Sequence, residues 1–216
     1  MPADERMIVA IDGPAAAGKG TLAERIARHY RLPYLDTGLL YRAVGREMSE
    51  RGLDVGDADA AGRIAAQLDL SRLGDPTLRG REAGELASRV GVHAPVRSAL
   101  LRFQHDFAHR PGGAVIDGRD IGTAVVPEAD VKIYVTASPE VRARRRTAEL
   151  TAKGRSVSFD TILAEIRERD ARDAGRAVAP LAQAADAHLL DTTDMDIETA
   201  FRAAVDIVER ARAERE

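Results

Sequence analysis

Cysteine and tryptophan are absent from the 216-residue chain, and lysine occurs at only three positions. The lack of cysteine excludes disulfides, thiol catalysis and cysteine-ligated zinc. No apolar run approaches the roughly 20 residues that a membrane-spanning helix needs. The polar opening, residues 1–6, shows no secretory signal. We therefore expect a cytoplasmic protein with no membrane partner.

Chain length and charge limit the number of domains and the kind of ligand that the protein binds. At roughly 150 residues per domain, the chain makes one domain or one and a half. The net charge of −3, with four Phe and four Tyr, disfavours a nucleic-acid-binding surface. All but three of the 32 basic residues are arginine, whose planar fork suits bidentate phosphate binding. Codon bias is an alternative source of the arginine content, but it does not explain where the arginines cluster.

Short apolar runs alternate with stretches of helical periodicity along the chain. Strands are predicted at 7–12, 32–36, 114–117, 131–136 and 188–190. Helices are predicted at 19–31, 37–51, 58–68, about 96–107, 139–151, 160–174 and from 197 onward, with a weak hairpin at 68–82. The alternation predicts an α/β fold whose parallel sheet is covered on both faces and binds ligands at the carboxyl ends of its strands.

A glycine-rich loop joins the first predicted strand to the first helix. It reads Gly13-Pro14-Ala15-Ala16-Ala17-Gly18-Lys19-Gly20-Thr21. In this context a G-x-x-x-x-G-K loop turns backbone N–H groups onto phosphate oxygens, and Lys19 reaches the β- and γ-phosphates of a nucleotide. The loop therefore predicts an ATP site. A glycine-rich turn without a ligand is the alternative.

The loop departs from the strict pattern at one position. Gly20 stands where Ser or Thr is usual, and the hydroxyl arrives one residue later, at Thr21. Asp117 ends a later apolar strand, as an acid that holds magnesium or its water does in phosphate-binding sheets. We predict Mg²⁺ near Thr21 and Asp117, through water; a helix cap is the alternative for Asp117.

Charged residues recur at helical spacing near the end of the chain. Arg169, Asp173 and Arg176 stand at i, i+4 and i+7, so one helix face presents two cations around an acid. Arg142 and Arg146 are also one turn apart, and a solvated helix face is their alternative. We interpret the five histidines as scattered structural residues without a metal-binding pair.

Residues 12–21 resemble the nucleoside monophosphate kinases, and four further segments narrow the resemblance to bacterial cytidylate kinase. Those segments are 35–42 (LDTGLLYR), 117–123 (DGRDIGT), 168–173 (ERDARD) and 176–181 (RAVAPL). The resemblance implies a P-loop three-layer fold with a central five-stranded parallel sheet. It also implies a core at 1–39 and 111–216, an inserted acceptor-nucleotide domain at 40–110, and a short lid at about 147–160.

The resemblance also implies the roles of individual residues. The acceptor phosphate would be held by Arg42, Arg119 and Arg176, with Thr37 and Tyr41 nearby. The cytosine edge would be read by Ser88, Arg97 and Asp120, and the ribose by Asp173 and Arg169. The donor would be clamped by Arg142 and Arg146, and the catalytic set would be Lys19, Arg119, Arg146 and Arg176. A structural ion pair is the alternative for Arg42 and for Arg119.

These assignments predict a kinase that takes ATP, Mg²⁺ and CMP or dCMP. Because no long heptad or apolar surface stripe demands a partner, a monomer is expected. A kinase acting on a small-molecule hydroxyl is one rival, because Asp36 or Asp120 could serve as its base. A nucleotide-dependent switch is another, although a switch has no second anion for the downstream arginines to hold.

Overall fold

The structure is a computed structural model that describes residues 6–214 of the chain. Its five strands are β1 (Met7–Asp12), β2 (Tyr34–Asp36), β3 (Gly113–Asp117), β4 (Val131–Thr136) and β5 (His188–Asp191). They form one parallel sheet in the order β2-β3-β1-β4-β5. The predicted five-stranded parallel sheet is therefore confirmed.

Helices cover the two faces of this sheet and form the insertion. They are α1 (Lys19–Tyr30), α2 (Thr37–Glu50), α3 (Ala58–Ala66), α4 (Arg81–Val90), α5 (Ala94–Ala108), α6 (Pro139–Ala152), α7 (Phe159–Ala174) and α8 (Ile197–Ala213). The side chain of Ser138 accepts a hydrogen bond from Val141 N–H, so the predicted cap of α6 is confirmed.

The central strand β1 is buried along its whole length. Because successive side chains of a strand point to opposite faces, Val9 and Ile11 pack on the side covered by α1 and α8. Ile8 and Ala10 pack on the other side, with the aromatic residues of α5. This two-sided burial explains why β1 is a continuous apolar run rather than an alternating one.

Residues 40–110 form a helical unit with an apolar cluster of its own. The cluster brings together Leu40 and Val44 of α2 with Val90, Val96 and Leu100 of later helices. We retain the proposed division into a core and an insertion, and this second cluster is the observation that supports it.

The hairpin predicted at 68–82 is wrong. The segment forms two short 3₁₀ turns, Leu70–Gly74 and Pro76–Arg79. The carboxylates of Asp69 and Asp75 accept hydrogen bonds from the backbone N–H two residues on, which closes local turns in place of strand pairing. Helix α4 and a single π-helical turn at Ile121–Val125 were also not predicted.

The proposed lid comprises the end of α6, the turn at 153–156 and the beginning of α7. The two helices pack through Ala143, Leu150, Ile162 and Ile166. Within residues 6–214, no helix is long and apolar enough to cross a membrane.

Two neighbouring glycines before β3 allow a matched test of the sheet. Both have positive φ, but a side chain on Gly112 would meet open space, whereas one on Gly113 would lie 2.1 Å from the carbonyl oxygen of Met7. We expect Gly112→Ala to cost about 1 kcal/mol of unfolding free energy and Gly113→Ala about 3 kcal/mol or more. Urea denaturation measures both, and equal losses would contradict the close approach of β1 and β3.

Candidate active site

The loop after β1 has the backbone conformation of a phosphate cradle. Gly13 and Gly18 adopt positive φ, as does Ala16. A side chain at Gly13 would lie 2.0 Å from the carbonyl oxygen of Val135, so only glycine fits there. Gly18 caps α1 without any side-chain hydrogen bond. The first N–H groups of α1 are therefore left for a ligand, beside the positive end of the helix dipole.

Lys19 opens α1 and points toward the end of β3. Its Nζ lies 3.7 Å from Oδ2 of Asp117, and both side chains are almost fully buried. Burial, reinforced by the charge of Arg119, lowers the pKa of Lys19. Burial raises the pKa of the Asp117 carboxyl, although Lys19 opposes that shift. Asp117 therefore holds the Lys19 side chain, and the backbone N–H groups of the loop remain available to a ligand.

Tyr34 on β2 orients this carboxylate. Its hydroxyl donates to Oδ1 of Asp117 at 2.9 Å, and burial and the Asp117 charge raise its pKa, so it stays a donor. Thr37 Oγ1 donates to the backbone oxygen of Asp117 at 2.8 Å. Strand β2 and helix α2 thus fix Asp117 at its side chain and at its backbone.

A cavity of about 590 Å³ extends from the loop to the inserted helices. Its wall contains eight basic and five acidic side chains. The basic ones are Lys19, Arg42, Arg79, Arg97, Arg119, Lys153, Arg169 and Arg176. Such a surplus of cations facing a phosphate loop favours a second anionic ligand.

Asp173 of α7 is a buried acid that pairs with three arginines of the cavity wall. The carboxylate is 1% exposed and accepts hydrogen bonds from Arg119 Nε at 3.0 Å and from Arg176 Nη2. Arg169 Nε lies 3.9 Å from the same carboxylate. Although burial alone would raise the pKa of Asp173, the three guanidinium groups hold it below its usual range.

This arginine cluster, Arg119, Arg169 and Arg176, carries more positive charge than Asp173 neutralises. Burial, followed by the charge of Arg119, lowers the pKa of Arg169 to about 9, and burial also lowers that of Arg176. Within residues 6–214, the Nε atoms of Arg169 and Arg176 are buried without a hydrogen-bond partner. Buried donors that lack an acceptor are costly, so the cluster is suited to an anion.

Arg42 approaches the cluster from α2. Its Nη1 donates to the backbone oxygens of Leu78 and Gly80, at 2.9 and 3.3 Å. A side chain on Gly84 would lie 3.4 Å from Arg169 Nη1 and 3.7 Å from Arg42 Nη1. The small residue on α4 therefore leaves room for two cations.

A second buried ion pair also lines the cavity. Arg97 of α5 donates to Oδ2 of Asp120 and stands 5.8 Å from the ring of Tyr41. Arg172 donates to Ser88 Oγ at 3.0 Å, and that hydroxyl lies 3.5 Å from Asp173. The predicted base-reading residues therefore lie together, next to the arginine cluster.

Not every predicted residue reaches the cavity wall. Gly13, Pro14, Ala15, Arg142, Arg146 and Asp173 are not part of its lining. Arg142 is buried and binds Asp170 at 2.6 and 3.0 Å and the oxygens of Ala137 and Ala15. These hydrogen bonds connect the phosphate loop to α7. The predicted contact of Arg142 with ATP stays a prediction. Arg146 pairs with Glu149.

The structure adds residues that sequence reasoning did not assign. Tyr34, Arg79, Glu149 and Lys153 line the cavity. Tyr34 lies one residue before the recognised segment 35–42. Arg79 was not assigned to the site because the segment 68–82 was predicted to be a surface hairpin. In the structure Arg79 lies in a 3₁₀ turn and lines the cavity.

Asp12, at the end of β1, fixes the backbone of the segment that follows β3. Its two carboxylate oxygens accept the N–H groups of Ile121 and Gly122, each at 2.8 Å. These residues begin the π-helical turn that follows Arg119 and Asp120. Burial raises the pKa of Asp12 to about 6. Asp12 therefore ties the segment that carries two cavity residues to the central strand.

The oxygen donors near the loop fit a magnesium ion. Asp117 and Asp36 supply carboxylates at the cavity wall and Thr21 supplies an exposed hydroxyl, which are ligands that Mg²⁺ accepts directly or through water. A side chain on Gly20 would lie 3.8 Å from Oδ2 of Asp117, so glycine keeps the space before this carboxylate open.

Comparison with solved structures identifies the fold. A gluconokinase from Sinorhizobium meliloti 1021 aligns with a TM-score of 0.52 and 14% identity, over 95% of this chain and 94% of that one. A shikimate kinase from Bacteroides thetaiotaomicron aligns with a TM-score of 0.50 and 16% identity, over 94% and 98%. With the loop geometry, these similarities define a P-loop kinase fold.

Sequence comparison then identifies the family. A family model for cytidylate kinase matches residues 9–210. A cytidylate kinase of Caulobacter sp. (strain K31) is 59% identical over 206 residues, or 95% of either chain. One of Xanthobacter autotrophicus is 56% identical over 97% of this chain and 100% of its own. The chain belongs to the cytidylate kinase family, which confirms the resemblance seen in the sequence.

The raised pKa of Asp12 predicts a pH dependence of stability. Because the folded-state pKa lies above the unfolded value of 3.8, this contribution is full below about pH 4 and is lost as pH rises to about 6. A shift of this size corresponds to about 3 kcal/mol. We expect urea titrations from pH 4 to 7 to show a loss about 3 kcal/mol larger in the wild type than in Asp12→Asn, in which the raised pKa of Asp117 still contributes. Parallel pH profiles would contradict it.

Proposed function

We propose that the chain transfers the γ-phosphoryl group of ATP to the 5′-phosphate of CMP or dCMP, giving ADP and CDP or dCDP. One observation carries the proposal. A buried arginine cluster, in which two Nε atoms lack a hydrogen-bond partner, lines the same cavity as the phosphate loop. The family to which the chain belongs supplies the nucleotide. ATP and a cytidine monophosphate supply the two anions.

The phosphate loop positions the donor. Its backbone N–H groups and the beginning of α1 receive the β- and γ-phosphates, and Lys19 lies beside them. Thr21 and Asp117 would hold Mg²⁺, directly or through water. The ion, when bound, neutralises charge that develops on the transferred group.

The arginine cluster positions the acceptor. A phosphate monoester has a second pKa near 6, so most of it is dianionic at neutral pH and needs no general base. Two unit charges of like sign at 4 Å repel by about 4 kcal/mol at an effective dielectric of about 20. Arg42, Arg119 and Arg176 offset that repulsion. Alignment and charge neutralisation are what phosphoryl transfer requires from a protein.

The second ion pair supplies a basis for selecting the nucleoside. We assign the cytosine edge to Ser88, Arg97 and Asp120, and the ribose to Asp173 and Arg169. Pairing already fixes the donors and acceptors of Arg97 and Asp120, so a base with the wrong pattern would leave a buried polar group unsatisfied.

Closure of the lid would complete the site. Glu149 and Lys153 of the proposed lid already line the cavity, so a small movement would bring charge over the phosphates and exclude water. The monomeric state and the cytoplasmic location stay predictions.

The acceptor assignment is tested with a panel of substrates. In an assay coupled to ADP release, we expect CMP and dCMP to give the highest kcat/KM and UMP, AMP and shikimate to give much lower values. ATP hydrolysis without an acceptor should be slow, because the water-excluding closure needs both nucleotides. Preference for AMP or shikimate would contradict the assignment.

Two substitutions should separate the donor and acceptor sites. We expect Lys19→Ala to lower kcat by at least about 100-fold while CMP binding is retained. We expect Arg176→Ala to weaken CMP binding while ATP binding is retained. Steady-state kinetics and titration calorimetry measure both effects.

Arg167→Ala is the matched control, because Arg167 is an exposed α7 residue paired with Glu140. It should behave as the wild type. Loss of ATP binding in Arg176→Ala, or near-normal turnover in Lys19→Ala, would refute the respective site.

A further inference from the structure

Two histidines and a glutamate form a cluster on the outer face of α5, away from the cavity just described. The interpretation of the histidines as scattered residues is wrong for this pair: His105 and His109 are one helical turn apart, with ring centroids 4.0 Å apart. Glu128 approaches from the loop that follows the π-helical turn. One ligand atom of each residue lies within 4.8 Å of the other two.

The distances match those between ligands of one metal ion. Nε2 of His109 lies 2.9 Å from Oε1 of Glu128, and Nε2 of His105 lies 3.5 Å from the same oxygen. Ligand atoms bound at 2.0–2.2 Å in tetrahedral geometry are about 3.3 Å apart. The two histidine–glutamate separations lie on either side of that value. The imidazole rings are stacked, with an interplanar angle of 24°, so rotation of a ring brings both Nε2 lone pairs onto one ion.

The hydrogen bonding of His109 leaves its outer nitrogen available. Nδ1 lies 2.9 Å from the backbone oxygen of His105; because a carbonyl only accepts, Nδ1 carries the proton. In the neutral ring, Nε2 then presents a lone pair to the Glu128 carboxylate. Two acceptors at 2.9 Å require a proton or a cation between them. A backbone carbonyl on the second nitrogen is also how proteins orient histidine ligands.

The protein holds Glu128 in place from both sides. Val126 N–H donates to the oxygen of Ile121 at 2.7 Å, and Ala129 N–H donates to that of Val126 at 3.0 Å. Ile8 N–H of β1 donates to Asp130 Oδ2 at 2.6 Å. The two histidines are fixed by their helix. All three ligands therefore stand on ordered segments, which limits the entropy lost on binding.

The neighbouring side chains leave the cluster accessible. Leu101, Val125 and Pro127 form an apolar wall of the adjoining depression. Two cations lie near the cluster in sequence, and each is held by another group. Arg110 donates from Nε to the backbone oxygen of Phe107 at 3.1 Å and stacks on the Phe107 ring, and Arg102, 91% exposed, pairs with Asp106 at 3.5 Å. The exposed faces of His105 and Glu128 leave room for water or another ligand to complete the coordination.

We propose that His105, His109 and Glu128 form a site for a divalent transition metal, zinc being the best fit to two imidazoles and one carboxylate. This site is separate from the Mg²⁺ site, where the donors are all oxygen. A bound ion joins α5, which carries Arg97, to the loop that follows Asp120. It stabilises the folded state in proportion to its occupancy.

Titration calorimetry and thermal melting test the site. ZnCl₂ is added to the full chain with MgCl₂ in excess, so that oxygen-only sites are occupied. We expect one zinc per chain and a higher Tm for the wild type. His109→Ala and Glu128→Gln should bind at least about tenfold more weakly. His188→Ala, an exposed histidine of β5, is the matched control and should bind as the wild type does.

Nuclear magnetic resonance of the wild-type imidazoles gives a readout that does not depend on any variant. Zinc should shift the Nε2 resonances of His105 and His109 and leave those of His29, His93 and His188 unchanged. Absence of stoichiometric binding, equal affinity in His109→Ala, or shifts confined to the other histidines would overturn the proposal.

Discussion

The crowding of three guanidinium groups around the Asp173 carboxylate is the constraint on which the site depends. Two like unit charges at 4 Å repel by about 4 kcal/mol at an effective dielectric of about 20. Asp173, with Asp120 acting on Arg176 and Glu85 acting on Arg169, offsets only part of the burial that lowers the pKa of these arginines. The buried, unpartnered Nε atoms of Arg169 and Arg176 are the local sign of that deficit. In the proposed function an acceptor phosphate supplies the missing charge, so that relief of the repulsion in the free protein contributes to binding of the substrate.

The sheet determines where this charge accumulates. Asp12 and Asp117 end adjacent parallel strands, with Asp117 opposite Ile11. The carboxyl edge of the sheet therefore places two acids close together: Asp12 accepts backbone N–H groups and Asp117 pairs with Lys19. The arginines of the cavity wall come from segments that are distant in the sequence. They are Arg42 of α2, Arg119 after β3, Arg169 of α7 and Arg176 after α7. The insertion has its own apolar cluster, and α5 also packs against the sheet through Phe103, Phe107 and Ala108.

The periodicity of the sequence was enough to predict the strands and most helices, because each β run is apolar and each helix carries a regular stripe. It failed at 68–82, where the Asp69 and Asp75 side chains close turns that no hydrophobic pattern reports. The phosphate loop was predictable because its glycines and lysine are adjacent. The ion pair of Arg142 with Asp170 and the approach of Glu128 to His105 and His109 were not predicted, since both depend on packing between segments that are distant in the sequence.

Binding of CMP and of cytidine to the wild-type chain, compared by titration calorimetry, tests the central claim most directly, because the two ligands differ only in the phosphate. If two charge-assisted hydrogen bonds to the arginine cluster form, at about 1.5 kcal/mol or more each, CMP binds at least about 100-fold more tightly. Equal affinities would contradict the account, because the arginines would then not be holding the acceptor phosphate.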